Sequence, residues 1–215
     1  MASKEALQQF HKDKISGAAD RLFQSNGFEK TTMDDIARKA DYSKATLYVY
    51  FNSKDEIMHF IVLKATKMLQ QRIKEGMASS YNALQQFKAI CGELVRFSHE
   101  FPFYFDSLTE TIAADLESRQ RNPVLNEVYI TGEQNNDLIG MIIKNGIEQG
   151  YFREDTPGLP TGFLFWMTFS SVIRMAKNKE EYIRLRMEMD NDAFLDFAFR
   201  TLIRAIMKEG ISDKG

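Results

Sequence analysis

The sequence predicts an all-α protein in which a small N-terminal three-helix domain precedes a larger helical bundle. Three observations carry this. Three helix starts are packed between Thr31 and Glu56. Nearly every segment from Ala83 onward keeps a 3.6-residue apolar period. No alternating strand pattern interrupts either region. With 215 residues and 44% hydrophobic side chains, the chain has enough apolar surface for a substantial core.

The first helix shows an apolar face at Ile15, Ala18, Ala19, Leu22 and Phe23 and stops at Asn26-Gly27, after which Phe28 is placed to pack back on that face. Thr32 precedes Met33, Ile36, Ala37 and Ala40, and Asp35 lies three residues after it, a carboxylate form of the capping box. Asp41, Tyr42 and Ser43 interrupt that helix with turn and cap formers, and Ser43 N-caps a second short helix, Lys44 to Tyr50. This is a tight helix-turn-helix. Ser53 and Glu56 form a full capping box that opens a helix with apolar positions Ile57, Phe60, Ile61, Ala65 and Met68. The predicted small core is Ile15, Leu22, Phe23, Phe28, Ile36, Ala40, Leu47 and Phe51.

The expected division is residues 1–52 as the helix-turn-helix domain and 53–215 as the helical bundle, with 53–75 as the connecting helix. Breaks at Pro102, Asn122-Pro123, Gly150, Pro157 to Pro160 and Asn178 leave helix candidates at 53–75, 80–99, 103–118, 124–149, 160–177 and 191–208.

A recognition helix reads base edges in the major groove through its N-terminal residues. The short Ala45 lets backbone approach, while Lys44 and Thr46 reach donors, acceptors or a thymine methyl. Thr32 at one helix start and Lys54 at another place N–H groups, helix dipoles and an ammonium where phosphates would run. Bulk charge does not assist. The chain carries net charge -2, with 9 Lys+Arg against 8 Asp+Glu up to Asp55 and 19 against 22 beyond it. Nucleic-acid binding must therefore rest on placed residues and on doubling by a dimer.

At residue level the segment resembles the tetracycline-repressor (TetR) family of one-component bacterial regulators. The matching residues are Gly27-Phe28, Thr31-Thr32, Asp35-Ile36-Ala37, Ala40, Ser43-Lys44, Thr46-Leu47-Tyr48, Tyr50-Phe51 and Ser53-Lys54, within residues 10 to 65. The resemblance implies DNA contacts from Thr32, Ser43, Lys44, Ala45, Thr46, Tyr48, Tyr50 and Lys54. Four positions depart from the family pattern. Asp41 replaces the usual turn glycine and must sit in or near a left-handed conformation. Tyr42 replaces a smaller aliphatic residue, Ala45 replaces a common glycine, and Val49 stands where the family often has an aromatic, so no contact is carried to it.

The helix at 160–177 carries Phe163, Leu164, Phe165, Trp166, Met167, Phe169, Val172 and Ile173 around most of its circumference, so it needs cover on more than one side. Paired with the last helix it would form a four-helix bundle with a twofold mate, as the family's last two long helices do. The expected homodimer contacts are Phe163, Met167, Ser170, Arg174, Phe197, Thr201 and Arg204. Phe97, Phe101, Phe103 and Phe105, with Met141 and Trp166, would suit an apolar or aromatic ligand. Glu93, Asp106 and Glu110 read as solvated carboxylates or as partners for a cationic ligand.

The implied function is a ligand-responsive transcriptional regulator, a repressor, that binds a pseudo-palindromic double-stranded DNA operator as a homodimer and is released by a small-molecule effector. An alternative keeps the fold as a DNA-binding or scaffold protein whose C-terminal domain binds a protein partner. Nothing suggests an enzyme, a cofactor or a metal. His11, His59 and His99 are far apart, and His99-Glu100 lacks the second histidine of a zinc-protease helix. Gly-rich phosphate loops and nucleophile elbows are missing. The single cysteine, Cys91, and the lack of a charged-then-apolar leader make a cytoplasmic location the expectation. The run Gly162 to Ile173 falls short of the roughly 20 residues that span a bilayer, so no membrane is expected as a partner.

Overall fold

The computed structural model describes residues 3–110 and 116–211. Among these the chain is helical without strands. The helices are α1 (Lys4–Asn26), α2 (Met33–Ala40), α3 (Lys44–Tyr50), α4 (Lys54–Ala78), α5 (Ala83–Glu100), α6 (Pro102–Glu110), α7 (Leu116–Arg121), α8 (Pro123–Glu148), α9 (Gly158–Asn178), α10 (Glu180–Met187) and α11 (Asn191–Arg204). Two compact units result: Met1–Ala65 with Ile112–Val128, and Thr66–Thr111 with Tyr129–Gly215. Among the described residues no helix is long and apolar enough to cross a membrane.

In the first unit Ile15, Ala18, Ala19 and Phe23 of α1 meet Ile36, Ala37 and Ala40 of α2, Leu47 of α3 and Phe51, all buried. Leu22 and Phe28 are only half-buried; Phe28 lies against Phe23 with ring centroids 5.1 Å apart. Gly27, at φ 82, ends α1 and donates its N–H to Phe23 O, a conformation that glycine adopts without a Cβ penalty. The Thr31 hydroxyl, buried, donates to Gly27 O at 2.9 Å.

The caps follow the local pattern. At α2 the Asp35 N–H donates to Thr32 Oγ1 (3.2 Å), and the Thr32 N–H donates to Asp35 Oδ2 (3.1 Å). Asp41 is left-handed, at φ 59 and ψ 48. Its N–H donates to Arg38 O and the Tyr42 N–H to Ala37 O, the paired bonds of a Schellman ending with aspartate in the usual glycine position. At α4 the Glu56 N–H donates to Ser53 Oγ (3.1 Å) as expected. The reciprocal arm differs from expectation: Glu56 Oε2 accepts from the N–H and side-chain Nδ2 of Asn52, at 2.7 and 3.0 Å. Two donors on one residue hold the carboxylate one position upstream of the cap.

In the second unit Phe87 of α5 meets Phe165 and Phe169 of α9 at 4.9 and 5.7 Å between centroids, and Phe169 meets Phe199 of α11 at 4.6 Å. The turn after α8 docks by close approach: a Cβ on Gly146 would lie 2.2 Å from the Phe152 ring. Phe152 and Met207 form an isolated antiparallel bridge. Gln149 and Tyr151 tie the same turn to the start of α5, where Gln149 Oε1 accepts the Ala83 N–H at 2.9 Å and Asn82 Nδ2 donates to the Tyr151 hydroxyl at 2.6 Å. Glu93 is neither solvated nor free for a ligand: it is buried and paired with Arg72 at 3.1 Å and with Arg96, while Arg72 also reaches Glu100. Hydrogen bonding to Glu93 leads the causes that raise the Arg72 guanidinium above its ordinary value.

Two helix expectations need correction. The sequence pattern passed over α10, whose one buried residue is Ile183 while Tyr182, Leu185 and Met187 face solvent, so it has no core stripe to betray a 3.6 period. The last helix ends at Arg204 because the chain then turns to pair with the segment after α8, Arg153 N–H donating to Ile206 O. The expected helix 103–118 corresponds to α6 and α7, and its stretch 111–115 lies outside the described residues.

Candidate nucleic-acid interface

The helix-turn-helix places α3 on the surface by one anchor. Leu47 is the buried residue of α3. Ala45 and Val49 point away from Leu47, and Lys44 and Tyr48 flank them on one side, because positions four apart nearly coincide on a helix. Lys44 and Ala45 are exposed, as are Tyr48 at 44% and Val49 at 74%. Ser43, also exposed, caps the helix: its Oγ accepts the Thr46 N–H at 3.0 Å and lies 2.8 Å from the Thr46 hydroxyl. The result is a short helix with a polar start and an outward face of one ammonium, one methyl, one phenol and one isopropyl group. Such a face offers hydrogen-bond donors, an acceptor and apolar contact to groove edges.

The flanking residues are occupied within the protein. Lys44 Nζ lies 2.7 Å from Asp34 Oδ1, whose hydrogen bond and charge raise the Lys44 ammonium above its usual value. Lys54 Nζ donates to Phe28 O at 2.6 Å and sits 4.2 Å over the Phe28 ring, tying the start of α4 to the turn after α1. The Thr32 hydroxyl donates to Asp35 Oδ2 at 2.6 Å, and the Thr32 N–H bonds the same carboxylate. That carboxylate is held below its usual value, first by the side-chain bond from Thr32 and then by its backbone bond. Tyr50 is half-buried and packs on His11, centroids 5.0 Å apart.

The structure thus brings Ser43, Lys44, Ala45, Thr46 and Tyr48 together on or beside one face, while Thr32 stands at the cap of α2 and Lys54 at the start of α4 against the turn after α1. Sequence reasoning carried no contact to Val49, which is exposed beside Ala45, and did not single out Asp34. Val49 follows from the face shared by 45 and 49, whereas the Asp34–Lys44 pair depends on how α2 and α3 cross.

In the second unit Phe97, Phe101 and Phe105 come together, Phe97 lying 5.6 Å from Phe101 and 6.5 Å from Phe105 between centroids. Phe97 and Phe105 are fully buried, Phe101, Phe103 and Trp166 half-buried, and Met141 exposed. A cavity of about 520 Å³ lies elsewhere, between α5 and α11. Its floor is two facing rows at four-residue spacing, Phe87, Cys91 and Val95 against Leu195, Phe199 and Ile203, with Lys88, Arg96, Asp192, Asp196 and Arg200 around it. Burial pushes the Cys91 thiol upward, so it stays protonated. Gly92 opens this wall: a Cβ there would meet nothing within 4 Å. The two rows were legible as i, i+4, i+8 patterns; that they face each other was not.

Of the expected dimer residues, Phe163, Met167 and Phe197 are each more than half exposed. Thr201 and Arg204 are exposed and Arg174 is half-buried. Ser170 is buried, its hydroxyl donating to Trp166 O within α9. Leu164 and Met175 add to the exposed apolar side chains of α9.

The family described as bacterial regulatory proteins, tetR family, matches residues 15–60, from mid-α1 to the first turns of α4. An uncharacterized HTH-type transcriptional regulator, YhgD of Bacillus subtilis, is 35% identical over 69 residues, 32% of this chain and 36% of that protein. The biofilm operon icaADBC HTH-type negative transcriptional regulator IcaR of Staphylococcus aureus is 48% identical over 46 residues, 21% of this chain and 25% of that protein. The chain therefore spans about a third and a quarter of the length of these curated relatives. Over nearly the whole chain the fold is that of the Bacillus subtilis transcriptional regulator FadR solved with stearoyl-CoA, with a TM-score of 0.68 at 17% identity, covering 93% of this chain and 99% of that one. The helix-turn-helix segment is thus similar to that of the TetR family over residues 15–60, and the chain as a whole has the fold of the solved regulator.

Proposed function

We propose that this protein is a homodimeric transcriptional repressor whose two α3 helices read a pseudo-palindromic operator one helical turn apart, about 34–36 Å, and whose operator affinity falls when a small apolar or aromatic molecule binds the C-terminal unit. The observation that carries the DNA reading is the outward face of α3, Lys44, Ala45, Tyr48 and Val49, presented from a Ser43 cap behind a left-handed Asp41. The negative regulator among the curated relatives supports repression. The exposed apolar side chains Phe163, Leu164, Met167 and Met175 of α9, with Phe197 of α11, support self-association, because several large apolar groups left on one element mark an interaction site.

The effector reading rests on the cavity between α5 and α11, whose volume suits a drug-sized molecule. The stearoyl-CoA bound by the FadR of the same fold supports an apolar body for the ligand. To lower operator affinity a hundredfold, the effector must prefer the non-binding conformation by about 2.7 kcal/mol.

The test is selection of DNA from a random duplex pool, followed by band shifts of the recovered sequence across a salt series. Saturable, salt-sensitive binding to an inverted repeat is expected, and binding without sequence preference overturns the reading. For the effector, Gly92→Leu fills the open wall of the cavity without touching α3. It is expected to hold the operator with unchanged affinity while losing release by fatty acids or acyl thioesters, the probes to be screened. Equal release of both proteins by the same probe moves the effector out of this cavity.

A further inference from the structure

We propose that His11 is a positioning residue for DNA reading: from α1 it holds both ends of α3 through Tyr42 and Tyr50, and so sets the rotation of the reading face. The proposal rests on the DNA-reading function above. His11 Nδ1 lies 2.5 Å from the Tyr42 hydroxyl. Its ring meets Tyr42 edge-on at 5.7 Å and Tyr50 at 5.0 Å between centroids, and Phe10 closes a further side at 5.6 Å. Tyr42 immediately precedes the N-cap Ser43, and Tyr50 is the last residue of α3. One imidazole therefore touches the two ends of a helix about 10 Å long. Lys14 adds to the grip, its Nζ 4.6 Å over the Tyr42 ring.

The mechanical need for such a clamp follows from the burial of α3. Its buried residue is Leu47, and Phe51, buried at its C-cap, follows four residues on; anchors along nearly one line fix the position of a helix better than its rotation. At a side-chain radius of about 5–6 Å, a rotation of about 20° moves a reading atom by about 2 Å. That displacement is beyond what hydrogen-bond geometry tolerates. Phosphate contacts survive such a shift better, because ionic attraction falls gently with distance. The signature of the clamp is thus loss of sequence preference without loss of general DNA affinity.

The experiment compares the full-length protein with Tyr42→Phe, His11→Phe and the double variant, each titrated with the selected operator and with an unrelated duplex of equal length. Tyr42→Phe removes only the hydroxyl and keeps the ring packing, so the fold is retained and its melting temperature is recorded alongside. Expected is a fall of about three- to tenfold in the ratio of operator to unrelated-duplex affinity in each single variant, the worth of one hydrogen bond. The salt slope stays unchanged, and the double variant is no worse than either single one. An unchanged ratio in Tyr42→Phe overturns the proposal. So does a parallel fall in both affinities, which marks a merely structural role, or a double variant whose loss is the product of the single losses. If the unmodified protein prefers no sequence, the DNA-reading function itself fails, and the clamp with it.

Discussion

Helices α3 and α9 both leave large side chains in solvent, yet they do so in opposite chemical company. On α3 the exposed Tyr48 and Val49 stand beside Ser43, Lys44 and Ala45, so each apolar group has a polar or charged neighbour within one helical turn. On α9 the exposed Phe163, Leu164 and Met167 cluster within about one turn, and Met175 lies two turns further on beyond the exposed Ser171. The first surface remains well solvated alone and suits a partner that is itself wet and charged, such as a DNA groove. The second is costly to leave in water at its Phe163–Met167 cluster and suits a dry, apolar surface of the kind a second copy would present. The difference teaches that exposure alone says little about a partner, and that the spacing of polar groups within the exposed face says much more.

The largest expected effect breaks the comparison on the α9 side. Met167→Glu places an unpaired charge in the proposed self-contact and is expected to weaken dimerisation at least about a hundredfold, roughly 3 kcal/mol, as read by sedimentation equilibrium. An unchanged mass would assign that cluster to some other partner. Next, Lys44→Ala on α3 is expected to lower operator affinity about tenfold and to reduce the salt slope by about 1.8, roughly 0.9 for each of the two ammonium groups in the dimer. The companion change Asp34→Asn frees the ammonium from a pair that solvent already screens and should raise affinity by no more than about fivefold. If both changes leave binding untouched, α3 does not use this ammonium.

Smaller effects sharpen the local account of the turn that presents α3. Asp41→Gly removes the Cβ from a left-handed residue and is expected to stabilise the protein by about 0.5 kcal/mol, raising the melting temperature by about 1–2 °C, with DNA binding unchanged. A fall in melting temperature would mean that the aspartate side chain supports the turn.

The smallest effect concerns acid. Asp35 is held below its usual value by Thr32. Its contribution to stability is therefore fully present above the unfolded carboxylate value, near pH 4, and is lost as pH falls through the lowered folded value. Thr32→Val should flatten the part of the melting profile below about pH 4. Solvent screening at this exposed site keeps the change small.

Much of the first unit was legible because its punctuation is local. Thr32 with Asp35, Ser43 with Thr46, and Ser53 with Glu56 are each three residues apart, so their bonds form wherever the helix starts. The left-handed Asp41 followed from the resemblance, since Asp41 stands where that turn usually has glycine. Among the candidate DNA residues, the face containing Lys44, Ala45 and Tyr48 was legible by helical period, while the engagements of Lys54 with Phe28 and of Lys44 with Asp34 were not. In the second unit the aromatic run from Phe97 to Phe105 drew attention as a ligand wall, whereas the cavity between α5 and α11 is lined by other residues. An apolar stripe looks the same whether a neighbour fills the space before it or leaves it open.

By itself, then, the sequence determined the helical class, the three closely spaced helix starts, the left-handed turn at Asp41 and the family to which they point. All of these are set by bonds between residues at most five apart in the chain. The tertiary structure alone decided which side chains remain free to meet a partner. It turned Val49 outward, engaged Lys54 with Phe28 and Lys44 with Asp34, brought His11 against Tyr42 and Tyr50, and opened a cavity between α5 and α11. Those outcomes depend on how helices cross and how closely they approach, and crossing geometry is the summed result of packing across many distant residues rather than of any local pattern.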